Sequence, residues 1–215
     1  MSLSQTTLIV LAKEPIPGRS KTRLSPPFTL EEAAALAQAM LHDTLRAVTR
    51  SGAGRKLLVL DGRPGAWVPP GLDVIPQRGE THAGRIAAAF ADAGGSSLLI
   101  GMDTPQVTAP MLDRAAEVLW QNGVDAILGP ASDGGWWLAG LRMANPEAFE
   151  GVPMSLPTTA DRQKARFAEL GLRTRQIETL TDVDDWPSAL RIARQAPATS
   201  FAKEIARLMS PAGLS

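Results

Sequence analysis

Short apolar runs alternate along the chain with stretches of helical period, and this alternation sets the first expectations. Residues 6–12 are β-rich and apolar on both faces, as a central parallel strand should be. Residues 56–61, 72–76, 97–100, 123–130 and 173–177 read as further strands, and a strand beginning at Trp136 as another. Between them, Thr29-Leu30-Glu31-Glu32 has the cap and acidic first turn of a helix, and apolar positions then recur at helical spacing to Val48. The same spacing predicts helices over 87–93, 109–122, 158–170 and 200–208, and one running to Gln195. Alternating β and α elements imply an α/β fold. The expectation is a single Rossmann-like doubly wound domain over residues 1–215, with a mainly parallel mixed sheet and helices on both faces.

The run Ser97-Leu98-Leu99-Ile100-Gly101-Met102-Asp103-Thr104-Pro105 focuses the search for chemistry. A buried strand ends at Gly101 and delivers one carboxylate, Asp103, to the carboxyl edge of the sheet, where open α/β sheets bind ligands. A carboxylate there suits a hard cation carried on a phosphate. Asp-Thr-Pro is also ordinary turn chemistry, so Asp103 as N-cap of the following helix is the competing reading.

The first strand breaks at Ala12 into a loop with Lys13, Gly18, Arg19, Lys21 and Arg23, closed by Pro26-Pro27. A basic loop on top of a central strand suits a phosphate chain; a solvated basic surface is the alternative. Gln77, Gly84 and Arg85 lie in a second stretch of this kind, where a glycine near a helix start permits close approach and free helix N–H groups favour an anion. His42 falls within a helical pattern and reads as a packed or surface residue. Asp133-Gly134-Gly135-Trp136-Trp137 joins a carboxylate turn to adjacent tryptophans that point to opposite faces of a strand. One indole can enter the core while the other lines a cleft against a sugar or base; a turn with two core aromatics is equally open. Asp133 is a candidate base, a second metal ligand or a turn former. Asp182, Asp184 and Asp185 near Trp186 form either a helix-cap cluster or a second acidic site, with Asp182 and Asp184 as its candidates.

Composition narrows the classes. Of 215 residues, 44% are hydrophobic, enough for a sizeable core. Lysine plus arginine and aspartate plus glutamate number 22 each, which disfavours a nucleic-acid binder, since phosphate backbones need clustered positive charge. With no cysteine there is neither disulfide nor thiolate chemistry, and with 2 histidines zinc hydrolysis is disfavoured. No apolar run suffices for a bilayer span, and Met1 to Gln5 lack a basic lead into an apolar core. A soluble, cytoplasmic protein is expected. Neither a G-x-G-x-x-G nor a G-x-x-x-x-G-K-[ST] fingerprint is present. Strand ends at Ala12, Gly101 and Gly129 should instead form one crevice for a nucleoside diphosphate and a divalent cation, Mg2+ or Mn2+.

In order, LAKEPIPGRSKTRLSP, QRGETHAGRIAAAF, LLIGMDTPQ, LGPASDGGWWLAGL and DVDD resemble bacterial glycosyltransferase-A-fold proteins long filed as a domain of unknown function. Some of those are labelled arsenosugar-biosynthesis-type glycosyltransferases. The resemblance runs to about Leu190 and implies a nucleotide-diphospho-sugar transferase fold with the loop 13–23 facing the nucleotide and Asp103 at the metal position. This chain has Asp-Thr-Pro where many glycosyltransferases have Asp-x-Asp, and tryptophans where the family often has tyrosines. The implied activity is metal-assisted transfer of a sugar from a nucleoside-diphosphate sugar to a small acceptor, with Asp133 as base and Gly134 to Trp137 as the sugar wall. Two alternatives stand beside it. One is a nucleotidyltransferase like the phospholactate-type guanylyltransferases; the other is a non-catalytic nucleotide-binding domain.

Overall fold

The computed structural model describes residues 3–210. Its strands form one 7-stranded sheet in the order β3-β2-β1-β4-β6-β5-β7. Here β1 is Thr6–Lys13, β2 Arg55–Asp61, β3 Asp73–Pro76, β4 Ser96–Ile100, β5 Ala126–Pro130, β6 Trp136–Leu141 and β7 Thr174–Gln176. Only β6 runs antiparallel to its neighbours, β4 and β5, so the sheet is mixed and mainly parallel, as expected.

Alternation along β1 shows how the two faces are covered. Leu8, Val10 and Ala12 point into one apolar layer, while Ile9 and Leu11 point into the other. The first layer is closed by α1 (Leu30–Arg50), α3 (Ala109–Leu119), α5 (Trp186–Gln195) and α6 (Ser200–Leu208); the second by α2 (His82–Ala93) and α4 (Thr159–Glu169). The second layer also holds an aromatic stack. Phe90 on α2 lies on Phe149 at 4.6 Å, and Phe149 meets Phe167 of α4 edge-on at 5.9 Å. That stack fixes the chain just after β6, and so the approach to the segment 153–157.

Helix starts follow their caps. Thr29 and Glu32 form a reciprocal capping box on α1, with the Thr29 hydroxyl accepting from the Glu32 amide at 3.1 Å. The expected helix over 87–93 in fact begins at His82, because the Thr81 hydroxyl accepts the Gly84 N–H at 3.0 Å and starts the helix five residues early. The strands expected over 123–130 and 173–177 are shorter, and the edge strands β3 and β7 are mostly exposed. Strand β7 is held by Arg173, whose guanidinium donates to both oxygens of Asp125 at 2.7 and 3.1 Å. Those bonds hold the Asp125 carboxyl down to about 2. Among the described residues no helix is long and apolar enough to cross a membrane.

Chain order reverses at β1: β2 and β3 lie on one side, β4 on the other. Register between β1 and β4 ends at Val10 and Ile100, so the chains diverge beyond that pair and open a crevice at the carboxyl ends.

Candidate functional site

That crevice is a cleft of about 840 Å³. Of the residues singled out in the sequence, it is lined by Ala12, Lys13, Arg19, Lys21, Arg23, Gln77, Arg85, Asp103, Asp133, Gly135, Trp136, Trp137, Asp182, Asp184 and Asp185. Gly18, Gly84 and Gly134 are not among the lining residues. The Gly84 N–H is already taken by Thr81, so it is not free for an anion, contrary to expectation.

Asp103 is no helix cap: the N-cap of α3 is Thr108. Its carboxylate instead accepts from the Lys21 ammonium at 3.0 Å, and its backbone oxygen accepts the Val183 N–H at 2.9 Å. This second contact belongs to a set that draws the acidic turn 180–185 into the cleft from far along the chain. Ser132 N–H donates to the Leu180 oxygen at 2.8 Å, and the Gln106 amide to the Thr181 oxygen at 2.7 Å. Val183 is fully buried, so Asp182 and Asp184 flank an inward-pointing residue and stand on the cleft side together. Asp185 does cap: its carboxylate accepts the Ser188 N–H at 2.9 Å in a second capping box. The acidic turn thus serves both readings, with Asp182 and Asp184 on the cleft and Asp185 capping α5 at its edge.

Lys21 lines the cleft, but its ammonium is already paired. Its ammonium is turned inward onto Asp103, Asp184 at 3.4 Å and the Val183 carbonyl, with 11% of the side chain exposed. Burial works against its charge, but Asp103 and Asp184 outweigh burial and raise its pKa. Lys13, Arg19 and Arg23 also line the cleft but are solvent-exposed; Arg19 lies 3.9 Å from Asp61 with 62% of its side chain exposed.

Charge is segregated within the cleft. Asp182 is pushed up to about 7, first by burial and then by Asp103, Asp133 and Asp184, against Lys21. Its Oδ1 is buried without a partner. His82, which carries no signal of its own in the sequence, lies at the other end: burial, Arg85 and Lys13 hold its imidazole below the ordinary value, with Asp103 opposing. Arg85 Nε is likewise buried without a partner, so each end of the cleft leaves a polar atom for something else to satisfy.

Asp182 gives the free protein a pH dependence with a defined sign. The unfolded chain releases this proton near 4 and the folded chain near 7, so folding stability falls as pH rises between them, by about 1.4 kcal/mol per unit at most. Asp182→Asn is expected to remove that slope. Its melting temperature should exceed the parent's at pH 8 and match it near pH 4; parallel curves for the two proteins would contradict this.

The far wall is aromatic and apolar. Trp137 is buried in the first layer, with its indole N–H donating to the Glu178 oxygen at 2.9 Å. Trp136 packs on the second layer beside Phe149 at 6.2 Å and faces the cleft with Met154, Leu156 and Pro157. The tryptophans do point to opposite faces. Asp133 lies on this wall, but its Oδ1 accepts the Gly135 N–H at 2.8 Å, so only Oδ2 is uncommitted by that turn. Gly134 holds the wall's second strand of chain. Its φ is +89°, an added Cβ would sit 1.9 Å from the Pro157 carbonyl oxygen, and its own oxygen accepts the Ala160 N–H at 2.9 Å. Gly134→Ala should lower stability by about 2 kcal/mol and displace 153–157. An unchanged denaturation midpoint would refute that.

A divalent cation fits the acidic end by donor chemistry. Its ligand atoms are all oxygens, and Asp182 Oδ1 lacks a partner. Among the described residues no group of three or more acidic or histidine side chains closes on one point. The acidic end therefore offers at most one or two carboxylates to an ion, a share that suits Mg2+ or Mn2+ when phosphate and water complete the shell.

The fold has solved counterparts. A Desulfovibrio desulfuricans G20 protein, provisionally assigned as a nucleotide-diphospho-sugar transferase, superposes with TM-score 0.84 at 23% identity, over 95% of each chain. The 2-C-methyl-D-erythritol 4-phosphate cytidylyltransferase of Thermus thermophilus superposes at 0.54, with 17% identity over 87% of this chain and 98% of that one. Mannosyltransferase PcManGT of Pyrobaculum calidifontis, solved with GDP-Man and Mn2+, gives 0.53 with 15% identity over 94% of this chain and 64% of that one. At these identities the likeness establishes the nucleotide-diphospho-sugar transferase fold. None of the curated proteins matches the chain. Residues 33–156 match the family described as "Uncharacterized protein conserved in bacteria (DUF2064)", and the chain belongs to that family.

Proposed function

We propose that the protein is a transferase that moves a sugar from a nucleoside-diphosphate sugar to a small acceptor with a divalent cation. One observation carries the reading. A single cleft at the β1–β4 divergence joins a cationic end, an oxygen-only acidic cluster and the wall formed by Trp136, Met154, Leu156 and Pro157. Such a cleft suits a ligand that is base, diphosphate and sugar in succession.

Each residue then has a task. Ala12 and Gln77 border the end of β1, where the base would lie; the Gln77 amide N–H groups are fixed on the Ala12 and Val59 oxygens at 2.7 and 3.2 Å. Lys13, Arg19, Arg23 and Arg85 would neutralise the diphosphate. Asp103, with Asp184, would hold Mg2+ or Mn2+, which when bound would supply charge stabilisation to the departing nucleoside diphosphate. The indole face of Trp136 would carry the sugar ring. In the reaction the bond from the anomeric carbon to the diphosphate oxygen breaks and one to the acceptor oxygen forms. The acceptor proton passes to Asp133 Oδ2, the oxygen the Asx turn leaves uncommitted.

Nucleotidyl transfer is the second reading, favoured by the likeness to a cytidylyltransferase. It predicts a nucleoside triphosphate as substrate and pyrophosphate as product. Sugar transfer predicts a nucleoside-diphosphate sugar as substrate and nucleoside diphosphate as product. Thermal-shift screening with UDP, GDP, GTP and UDP- and GDP-sugars, with and without Mn2+, followed by product analysis, separates the two. Pyrophosphate release from a triphosphate would overturn the sugar-transfer proposal.

A further inference from the structure

The last residue of β1 and the loop after it carry Lys13, Arg19, Lys21 and Arg23, and Lys21 alone is withdrawn from solvent. An ammonium has three N–H groups, and this one has three oxygen partners: Asp103 Oδ1 at 3.0 Å, Asp184 Oδ1 at 3.4 Å and the Val183 carbonyl. Its direction is built into the backbone. Lys21 sits at φ 49°, ψ 38°, in the left-handed region, immediately before the one-turn 3-10 helix Thr22–Leu24, and Leu24 is buried in the core.

The partners of Lys21 are the oxygens that a divalent ion would need. A cation bound to Asp103 and Asp184 would face the largely buried ammonium that shares those oxygens, and like charges at such separations repel. Expelling the ammonium would strip it of all three acceptors. A diphosphate changes both terms. Its oxygens can take over the Lys21 ammonium, and they complete the shell of a metal that the protein itself furnishes with too few ligands.

We infer that Lys21 is a resident counter-cation that keeps Asp103 and Asp184 from divalent ions until a nucleoside diphosphate arrives, so that metal and nucleotide bind cooperatively. The inference rests on the proposed metal-assisted transfer, and it specifies the order in which the site fills. Coupling of this kind is reciprocal: whatever factor the diphosphate adds to metal affinity, the metal adds to diphosphate affinity.

The test uses Mn2+ alone, titrated by calorimetry and by the free-ion paramagnetic signal, into the full chain. Lys21→Met keeps most of the stem and removes the charge; Lys21→Gly removes the side chain and suits the left-handed backbone, so it guards against misfolding of the first. Both variants should bind Mn2+ about ten-fold or more tightly than the parent, while Lys21→Arg should remain weak. Mn2+ binding by Lys21→Met and Lys21→Gly that is equal to the parent's, weaker or undetectable overturns the inference. Failure of the transferase reading shows elsewhere, as no turnover of any donor by the parent. A parent that turns over a donor, beside variants with unimproved Mn2+ binding, would sink the counter-cation role and leave the function standing.

Discussion

Asp103→Asn is expected to lower donor turnover about 1000-fold, equivalent to about 4 kcal/mol of lost transition-state stabilisation. The amide preserves the volume of the carboxylate, and the backbone oxygen of residue 103 keeps the Val183 N–H, so the acidic turn stays docked. What disappears is the negative charge facing Lys21 and the proposed cation. Lys21 retains Asp184 and the Val183 carbonyl, so the melting temperature should move by only a few degrees. The loss should therefore appear in turnover and in Mn2+-dependent nucleotide binding, with the fold intact by circular dichroism. Turnover within ten-fold of the parent, measured at saturating donor and Mn2+, would remove Asp103 from the reaction centre.

How far these residues are legible in the sequence differs by kind. The sheet and its helices are legible because burial imposes a period: β1, buried on both faces, reads as a continuous apolar run, and α1 as a 3.6-residue stripe behind a capping box. Edge strands β3 and β7 are weaker signals, since exposure removes the apolar pattern. The start of α2 is obscured because Gly79 and Gly84 suggest loop, whereas Thr81 three residues before Gly84 is a cap signature. At the site, Asp103 stands out by its place after β4. Lys21 can be placed in the cleft but not paired, because its partner Asp184 lies 163 residues away and charge pairing has no period. The one local hint is Asp182-Val183-Asp184, where alternation alone puts both carboxylates on one side of a buried valine. Met154, Leu156 and Pro157 give no signal, since their position depends on the Gly134 contact and the Phe149 stack.

Asp43→Ala is expected to destabilise the fold by about 3 kcal/mol, more than the Gly134 or Asp103 substitution in the cleft. Asp43 lies on α1 with 1% of its side chain exposed, a burial that a carboxylate tolerates only when well bonded. Its oxygens accept the Ser200 and Phe201 N–H groups, each at 2.9 Å, and the Arg46 guanidinium at 2.9 Å. The Thr199 hydroxyl accepts the next N–H, from Ala202, at 3.1 Å. The first turn of α6 therefore depends on a residue of another helix for two of its N–H groups, and places negative charge at the positive end of its dipole. Alanine would leave both N–H groups unbonded in a packed seam beside fully buried Phe201. For a chain of this length the melting temperature should fall by roughly 6–12 °C. Asp43→Asn should fall about half as far, since the amide keeps one acceptor and turns a donor toward the other N–H. A change below about 2 °C in Asp43→Ala would disprove the clamp. Because the α1–α6 seam borders the first apolar layer and contributes no residue to the cleft, Mn2+ and donor affinity of the folded variant should match the parent. The Asp103 and Asp43 substitutions thus remove carboxylates in opposite settings: one that lines the cleft beside Lys21, and one buried where it joins two helices.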